Sequence, residues 1–305
     1  GRESILEDLL SLVERSASFA LYGARGMGKT AIALKLLHHR KIVSNFGIHR
    51  YFVRCDNSID SLDDLLGRLS DVIGFPQPRN LAQLLSHLEA SLPSILVLDG
   101  IDFIIDPLSS GAAEIATTIK ELGLCPRVCL LSTSGMDPKI PGFRSMQVSN
   151  LSEEAARNTF YNYCSLQRSD EIDDVLAELD FHPLSIVLLA SAVNEKEWTE
   201  PELLEAWDNG TVYILEASGR ESLEDNIESI LRTPTIQELG NAARETLEAI
   251  ANHPDGVQEI HLLNLFPEIK ELGRAVNALC KFSLMYREDG FIKMHSPFRL
   301  HFQYR

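Results

Sequence analysis

Five short apolar runs, separated from one another by helical periodicity, predict an α/β domain with a five-stranded parallel sheet and helices on both faces. After residue 151 the pattern is helical without strands, and the end of the chain reads as three helices and two short β runs around Glu288-Asp289-Gly290. These observations predict three units: 1–150, a helical 151–219, and 220–305.

The elements follow in order. Ile5, Leu6, Leu9, Leu10 and Val13 recur at helical spacing, and Ser18 to Tyr22 is a short apolar run that meets glycine, so helix, strand and loop follow one another. Residues 29–39 are helical in pattern, 49–55 (HRYFVRC) reads as a strand, and 61–73 and 80–90 are amphipathic. Ile95 to Asp99 (ILVLD) is a buried strand of the kind parallel sheets use. A helix over 115–122, a strand over 127–133 and a last short strand at 146–148 complete the first unit. Helices are predicted over 152–166, 170–180, 184–193, 201–216 and 222–231, then over 241–252, 258–265 and 270–282. Strands 283–287 and 291–295 flank an Asp-Gly turn. Three helices with a terminal hairpin suggest a winged-helix unit.

Charge excludes some partners. The chain carries 28 basic against 44 acidic residues, a formal net charge of −16, and residues 151–219 hold 3 basic against 15 acidic of these. Solvated helix faces account for such a bias, and it opposes a nucleic-acid partner. No apolar run approaches the roughly 18 residues of a membrane span. The opening GRESILEDLL lacks a signal-peptide layout, so a cytoplasmic location without a membrane span is expected. Cys55, Cys125, Cys129, Cys164 and Cys280 are odd in number, lack CxxC spacing and read as small buried hydrophobes.

The chemistry concentrates in Gly23-Ala-Arg-Gly-Met-Gly28-Lys29-Thr30, a full match to G-x-x-x-x-G-K-[ST] between a predicted strand and a predicted helix. Glycines let successive N–H groups converge on a phosphate, and the helix that follows presents its positive end. The candidate nucleotide contacts are Gly23, Arg25, Gly26, Met27, Gly28, Lys29, Thr30 and Ala31, with the Lys29 ammonium at the β/γ-phosphates. Thr30 offers its hydroxyl to Mg²⁺, and Asp99, ending a buried strand, is the second metal candidate and the Walker B acid. The first unit is therefore expected to be a P-loop NTPase domain. Asp102 is the nearest further carboxylate that could orient or deprotonate water, so Asp99 and Asp102 are the candidate catalytic pair. Ser132, Thr133 and Ser134 close the strand RVCLLST at the carboxyl edge of the sheet, where Thr133 or Ser134 could sense a γ-phosphate.

With these residues in place the chain resembles an NB-ARC nucleotide switch of the STAND NTPase class, the group holding plant resistance proteins and apoptotic protease-activating factors, and its fungal NOD-like branch most. Gly1-Arg2-Glu3 resembles the segment that helps enclose the adenine, and Leu151-Ser-Glu-Glu-Ala-Ala resembles the start of the first helical subdomain. His182-Pro183-Leu184 falls where the family has G-x-P, whose proline packs on adenine. His253-Pro-Asp-Gly-Val and Leu265-Phe-Pro267 resemble its winged helix. Met294-His295-Ser296 falls on M-H-D, whose histidine reaches the β-phosphate of ADP. Three positions depart: Phe181 replaces the glycine before x-P, Ser134-Gly135 stand where a sensor arginine is expected, and Ser296 replaces the aspartate. Gly100 occupies the place where many relatives carry a second acid, which leaves hydrolysis open.

The resemblance implies ADP or ATP with Mg²⁺ as ligands, Gly1, Arg2, Pro183 and His295 among the nucleotide contacts, an ADP-closed state, and an ATP-favoured, self-associating state with slow hydrolysis as the reset. It also implies effector and sensor domains on a longer chain. Two rivals stay open. A small-molecule kinase or GTPase would use the same loop, although no N-K-x-D guanine signature is present, and a winged-helix DNA-binding regulator is opposed by 10 basic against 13 acidic residues over 220–305.

Overall fold

The computed structural model describes residues 1–56, 58–75, 80–106, 108, 111–210, 230–253, 255–282 and 284–303. Two compact units result: Arg2–Gly23 with Gly28–Val148, and Gly1 with Ala24–Met27 and Ser149–Arg305.

In the first unit the elements are α1 (Glu3–Glu14), β1 (Phe19–Tyr22), α2 (Lys29–Leu37), α3 (Arg40–Phe46), β2 (Arg50–Arg54), α4 (Leu62–Ile73), α5 (Leu81–Ala90), β3 (Ser94–Asp99), α6 (Ala112–Leu124), β4 (Val128–Ser134) and β5 (Arg144–Gln147). The five strands form one parallel sheet, as the sequence predicts, and their order is β2-β3-β4-β1-β5. Every residue of β3 and β4 is buried, the pattern of strands covered on both faces. Alternation sorts the side chains: Leu96, Leu98 and Leu130 join Leu65, Leu69, Ile115 and Ile119 in one cluster, while their neighbours Ile95, Val97 and Leu131 point the other way.

Local chemistry sets the boundaries. Ser61 and Asp64 form a capping box that starts α4, and Asn80 caps α5. The helix expected over 29–39 is α2, which ends at Leu37, and a further helix that was not expected, α3, follows it because His39 adopts an extended conformation and its Nδ1 accepts the Lys41 N–H. The last strand begins at Arg144 rather than 146, since Phe19 and Ala20 pair with Arg144 and Ser145.

In the second unit, α7 (Glu153–Tyr163), α8 (Asp170–Glu178), α9 (Pro183–Glu195) and α10 (Glu200–Gly210) surround a core of Phe160, Ile172, Leu176, Leu189 and Leu203. Ser152 and Ser169 cap α7 and α8, with Glu153, Glu154, Asp170, Glu171 and Asp173 in the first turns. Part of the acidic excess therefore complements helix dipoles. The helix expected over 201–216 is described only to Gly210, and nearly all of the one expected over 222–231 lies outside the described residues.

A separate core holds Leu247, Leu279, Phe282 and Phe298. It is built by α11 (Pro234–Gln237), α12 (Ala242–Ala251), β6 (Val257–Gln258), α13 (Leu262–Leu265), α14 (Leu272–Lys281), β7 (Met285–Glu288), β8 (Phe291–Met294) and α15 (Ser296–Gln303). The Asp-Gly hairpin is present, and β6 adds to it in an antiparallel sheet of order β6-β8-β7. The helix expected over 258–265 is instead the end of β6, a 3₁₀ turn over Glu259–His261 and the single turn α13, because Val257 and Gln258 pair with Ile292 and Phe291. Helix α15 was not expected. It follows directly on the hairpin and buries Phe298 and Phe302.

Of the five cysteines four are buried and Cys280 is partly so, and burial pushes the Cys129 thiol up to about 12 and Cys280 up to about 11. Protonated thiols in apolar surroundings fit the packing role expected of them. Among the described residues no helix is long and apolar enough to cross a membrane.

Candidate functional site

Parallel strands bring their carboxyl ends to one edge of the sheet, and β4 lies between β1 and β3. Ligands of open α/β sheets bind at such an edge, where strand order switches. Tyr22, the last residue of β1, pairs with Ser134, and Asp99 closes β3. Gly28 sits at φ +86, a left-handed conformation that suits glycine, and serves as the N-cap of α2, so Lys29, Thr30 and Ala31 form the first helical turn.

Lys29 Nζ donates to the Gly23 carbonyl at 2.7 Å. Thr30 Oγ1 donates to Asp99, 2.8 Å from Oδ1 and 3.1 Å from Oδ2, although 69 residues separate the two in sequence. Thr133, 2 % exposed, donates its hydroxyl proton to Asp99 Oδ1 at 2.7 Å and accepts the Gly100 N–H at 2.9 Å. It is thus built into the turn that holds Asp99. Asp102 Oδ1 accepts the Gly135 N–H at 2.9 Å, and the Ile101 N–H donates to the Thr133 carbonyl, so the turns after β3 and β4 are cross-tied. Sequence reasoning assigned no place here to Cys55, whose N–H donates to the Asp99 carbonyl. Burial, and then the nearby Asp99 charge, push its thiol well above the usual range. In this unit Arg2 is the N-cap residue of α1, half-buried, and burial lowers its pKa.

The remaining expected residues belong to the other unit. Gly1 lies against Leu151 and Ala155 at the start of α7. Arg25, Gly26 and Met27 meet the start of α9: the Arg25 carbonyl is 3.0 Å from His182 Nε2, and Met27 is buried. Gly26 has φ +78, and a Cβ there would come within 2.5 Å of His182 Cε1 and 2.8 Å of Leu184 Cβ, so both conformation and space demand glycine. Pro183 is the first residue of α9, where its fixed φ suits a helix start. His295 stacks on Tyr286 with ring centroids 4.5 Å apart and stands 5.9 Å from the His182 ring. The side chain of Ser296 lies outside the described residues. Phe181, in place of the family glycine, has φ +52, so the backbone there is the left-handed one that glycine favours.

No protein-family model and no curated protein matches the chain. Among solved structures it is similar to a Walker-type ATPase of Pyrococcus abyssi, with 15% identity, coverage of 99% of this chain and 95% of that one, and a TM-score of 0.67. This is the P-loop NTPase fold. The fold is also similar to that of the Aeropyrum pernix Orc1 protein in complex with DNA, at 14% identity, 99% and 92% coverage and a TM-score of 0.53. A STAND protein of Pyrococcus horikoshii with a tetratricopeptide repeat sensor aligns at 15% identity over all of this chain and 42% of its own, with a TM-score of 0.44.

Within the P-loop fold, the Thr30 hydroxyl and the Asp99 carboxylate are the hard oxygen donors that Mg²⁺ takes. Among the described residues no group of three or more His, Cys, Asp or Glu could hold a metal ion. The donor set of Thr30 and Asp99 fits a magnesium nucleotide.

Proposed function

We propose that this chain is an ATP- and ADP-binding switch module of the STAND type. The observation that carries the reading is the meeting of Thr30 with Asp99 at the carboxyl edge of the sheet, beside a glycine loop whose lysine folds back on Gly23. Lys29 and the loop amides would hold the phosphates, and Thr30 with Asp99 would hold Mg²⁺, directly or through water, to neutralise their charge. Asp102 is the residue proposed to orient water if hydrolysis occurs. Residues 1–150, 151–219 and 220–305 are proposed as nucleotide-binding, helical and winged-helix units, with Gly1, Arg2, Pro183 and His295 as further nucleotide contacts. Support for the winged helix comes from the three-stranded antiparallel sheet and the helices packed on it. Switching follows from differential affinity: a nucleotide moves a two-state equilibrium only by as much as it prefers one state. The NB-ARC likeness rests on the motif positions given above.

Calorimetric titration with Mg-ADP and Mg-ATP tests the reading. The parent should bind, and Lys29→Ala should lose at least about tenfold in affinity; equal binding by the two proteins overturns the phosphate-loop assignment. Size-exclusion chromatography with each nucleotide then checks that self-association is confined to the ATP form.

Duplex DNA is a second reading, favoured by the likeness to a DNA-bound Orc1. The balance of 10 basic to 13 acidic residues over 220–305 opposes it. Salt-sensitive binding of a DNA duplex at physiological ionic strength would reverse that ranking.

A further inference from the structure

We propose that His182 is a positioning residue for the phosphate loop: it caps helix α9 with one ring nitrogen and holds the Arg25 carbonyl with the other. The inference rests on the nucleotide-binding reading and names the residue that pre-shapes its loop.

His182 is fully buried and is the N-cap of α9. Its Nδ1 is 3.4 Å from the Ser185 backbone nitrogen and 3.2 Å from Ser185 Oγ. A backbone N–H can only donate, so Nδ1 is the acceptor, and the ring proton of the neutral imidazole then resides on Nε2. That nitrogen is 3.0 Å from the Arg25 carbonyl oxygen, 157 residues away in sequence. One imidazole therefore supplies an acceptor to a helix start and a donor to the glycine loop. The two roles fix the tautomer between them.

The Arg25 carbonyl belongs to the Arg25–Gly26 peptide, whose atoms lie in one plane with the carbonyl and the Gly26 N–H on opposite edges. Holding the oxygen on His182 turns the Gly26 N–H to the other side. Left alone, this peptide would be free to rotate, because glycine at φ +78 has broad backbone freedom. The fit is steric as well as polar, since the His182 ring and Leu184 fill the space a residue-26 side chain would need. A loop held before its ligand arrives loses less entropy on binding. His182 thus determines how well the loop amides are aligned for phosphate.

Two isosteric substitutions separate the roles. Asn at 182 reproduces the Nδ1 position and is a good helix cap, but its amide stops short of Arg25. Gln reaches as far as Nε2 and can donate to the Arg25 carbonyl, while it caps the helix poorly. His182→Asn is expected to lower the melting temperature by a few degrees, because the Arg25 carbonyl loses its donor and ring volume is lost, and to weaken Mg-ADP binding about tenfold, the worth of one hydrogen bond. His182→Gln should recover affinity to within about threefold of the parent despite a lower melting temperature. Equal affinity of His182→Asn and the parent overturns the proposal, as does equal loss by Asn and Gln variants.

A readout independent of nucleotide is the tryptic cleavage rate after Arg25 in the ligand-free chain. It should rise several-fold in His182→Asn and fall back in His182→Gln; an unchanged rate in the Asn variant overturns the proposal even if no nucleotide binds. Absence of binding by the parent, with the cleavage pattern as expected, would defeat the nucleotide reading alone.

Discussion

Asp99 shows how one side chain depends on its neighbours' hydroxyls. Its carboxylate accepts from Thr30 and Thr133, and the Thr133 oxygen in turn accepts the Gly100 N–H. Thr133→Val keeps the shape of the side chain but leaves the Gly100 N–H and one carboxylate lone pair without their partner in a buried turn. A buried group left unsatisfied costs about 1–3 kcal/mol, so the variant should unfold about 2 kcal/mol more easily, and Thr133→Ser should recover most of that. Urea denaturation checks this; an unchanged midpoint would show that the hydroxyl contributes nothing to the turn. The sequence placed Thr133 at the strand end correctly as a position. Its partners were not legible, because they depend on strand register.

Helix boundaries follow from capping more than from periodicity. Helix α9 illustrates both ends: His182 with Pro183 starts it, and it stops where Glu197 takes φ +52 while the Trp198 N–H donates to the Val193 carbonyl. This is a Schellman-type end with an exposed acid in the place that usually belongs to glycine. A left-handed residue costs about 1–2 kcal/mol, offset by roughly 0.5–1 kcal/mol of added chain entropy for glycine. Removing a negative charge from a helix C-terminus adds a few tenths of a kcal/mol. Glu197→Gly should therefore stabilise the protein by about 1 kcal/mol, read as a higher denaturation midpoint, and a lower midpoint would show that Glu197 makes a contact worth more than its strain. The same logic explains why 258–265 does not form one helix: the hairpin edge pairs with Val257 and Gln258 and takes them out of helical conformation.

For the whole molecule, charge is the property with a measurable consequence. A net charge of −16, with 3 basic against 15 acidic residues over 151–219, implies self-repulsion that helix-dipole placement only partly relieves. Screening shortens the reach of that repulsion from about 30 Å at 0.01 M salt to about 3 Å at 1 M. Raising NaCl from about 0.02 to 0.5 M should lift the melting temperature by a few degrees. A fall would mean that ion pairs such as Arg157 with Glu153 and Asp173 outweigh the repulsion.

What the sequence by itself determined was whatever residue type and spacing encode: the five short strand runs, their alternation with helices that makes a parallel α/β sheet, the glycine-lysine-threonine loop, and an aspartate at a strand end. Each is a local pattern, and local patterns survive without knowledge of the fold. What only the tertiary structure decided were pairings across long stretches of chain, in which at least one partner leaves no mark in sequence. The Arg25 oxygen that His182 holds is a backbone carbonyl, which every residue has, and the Gly100 N–H on Thr133 is equally anonymous. Strand order and helix packing bring such groups together, so the histidine before Pro183 acquires its partner in the glycine loop only when the chain is folded.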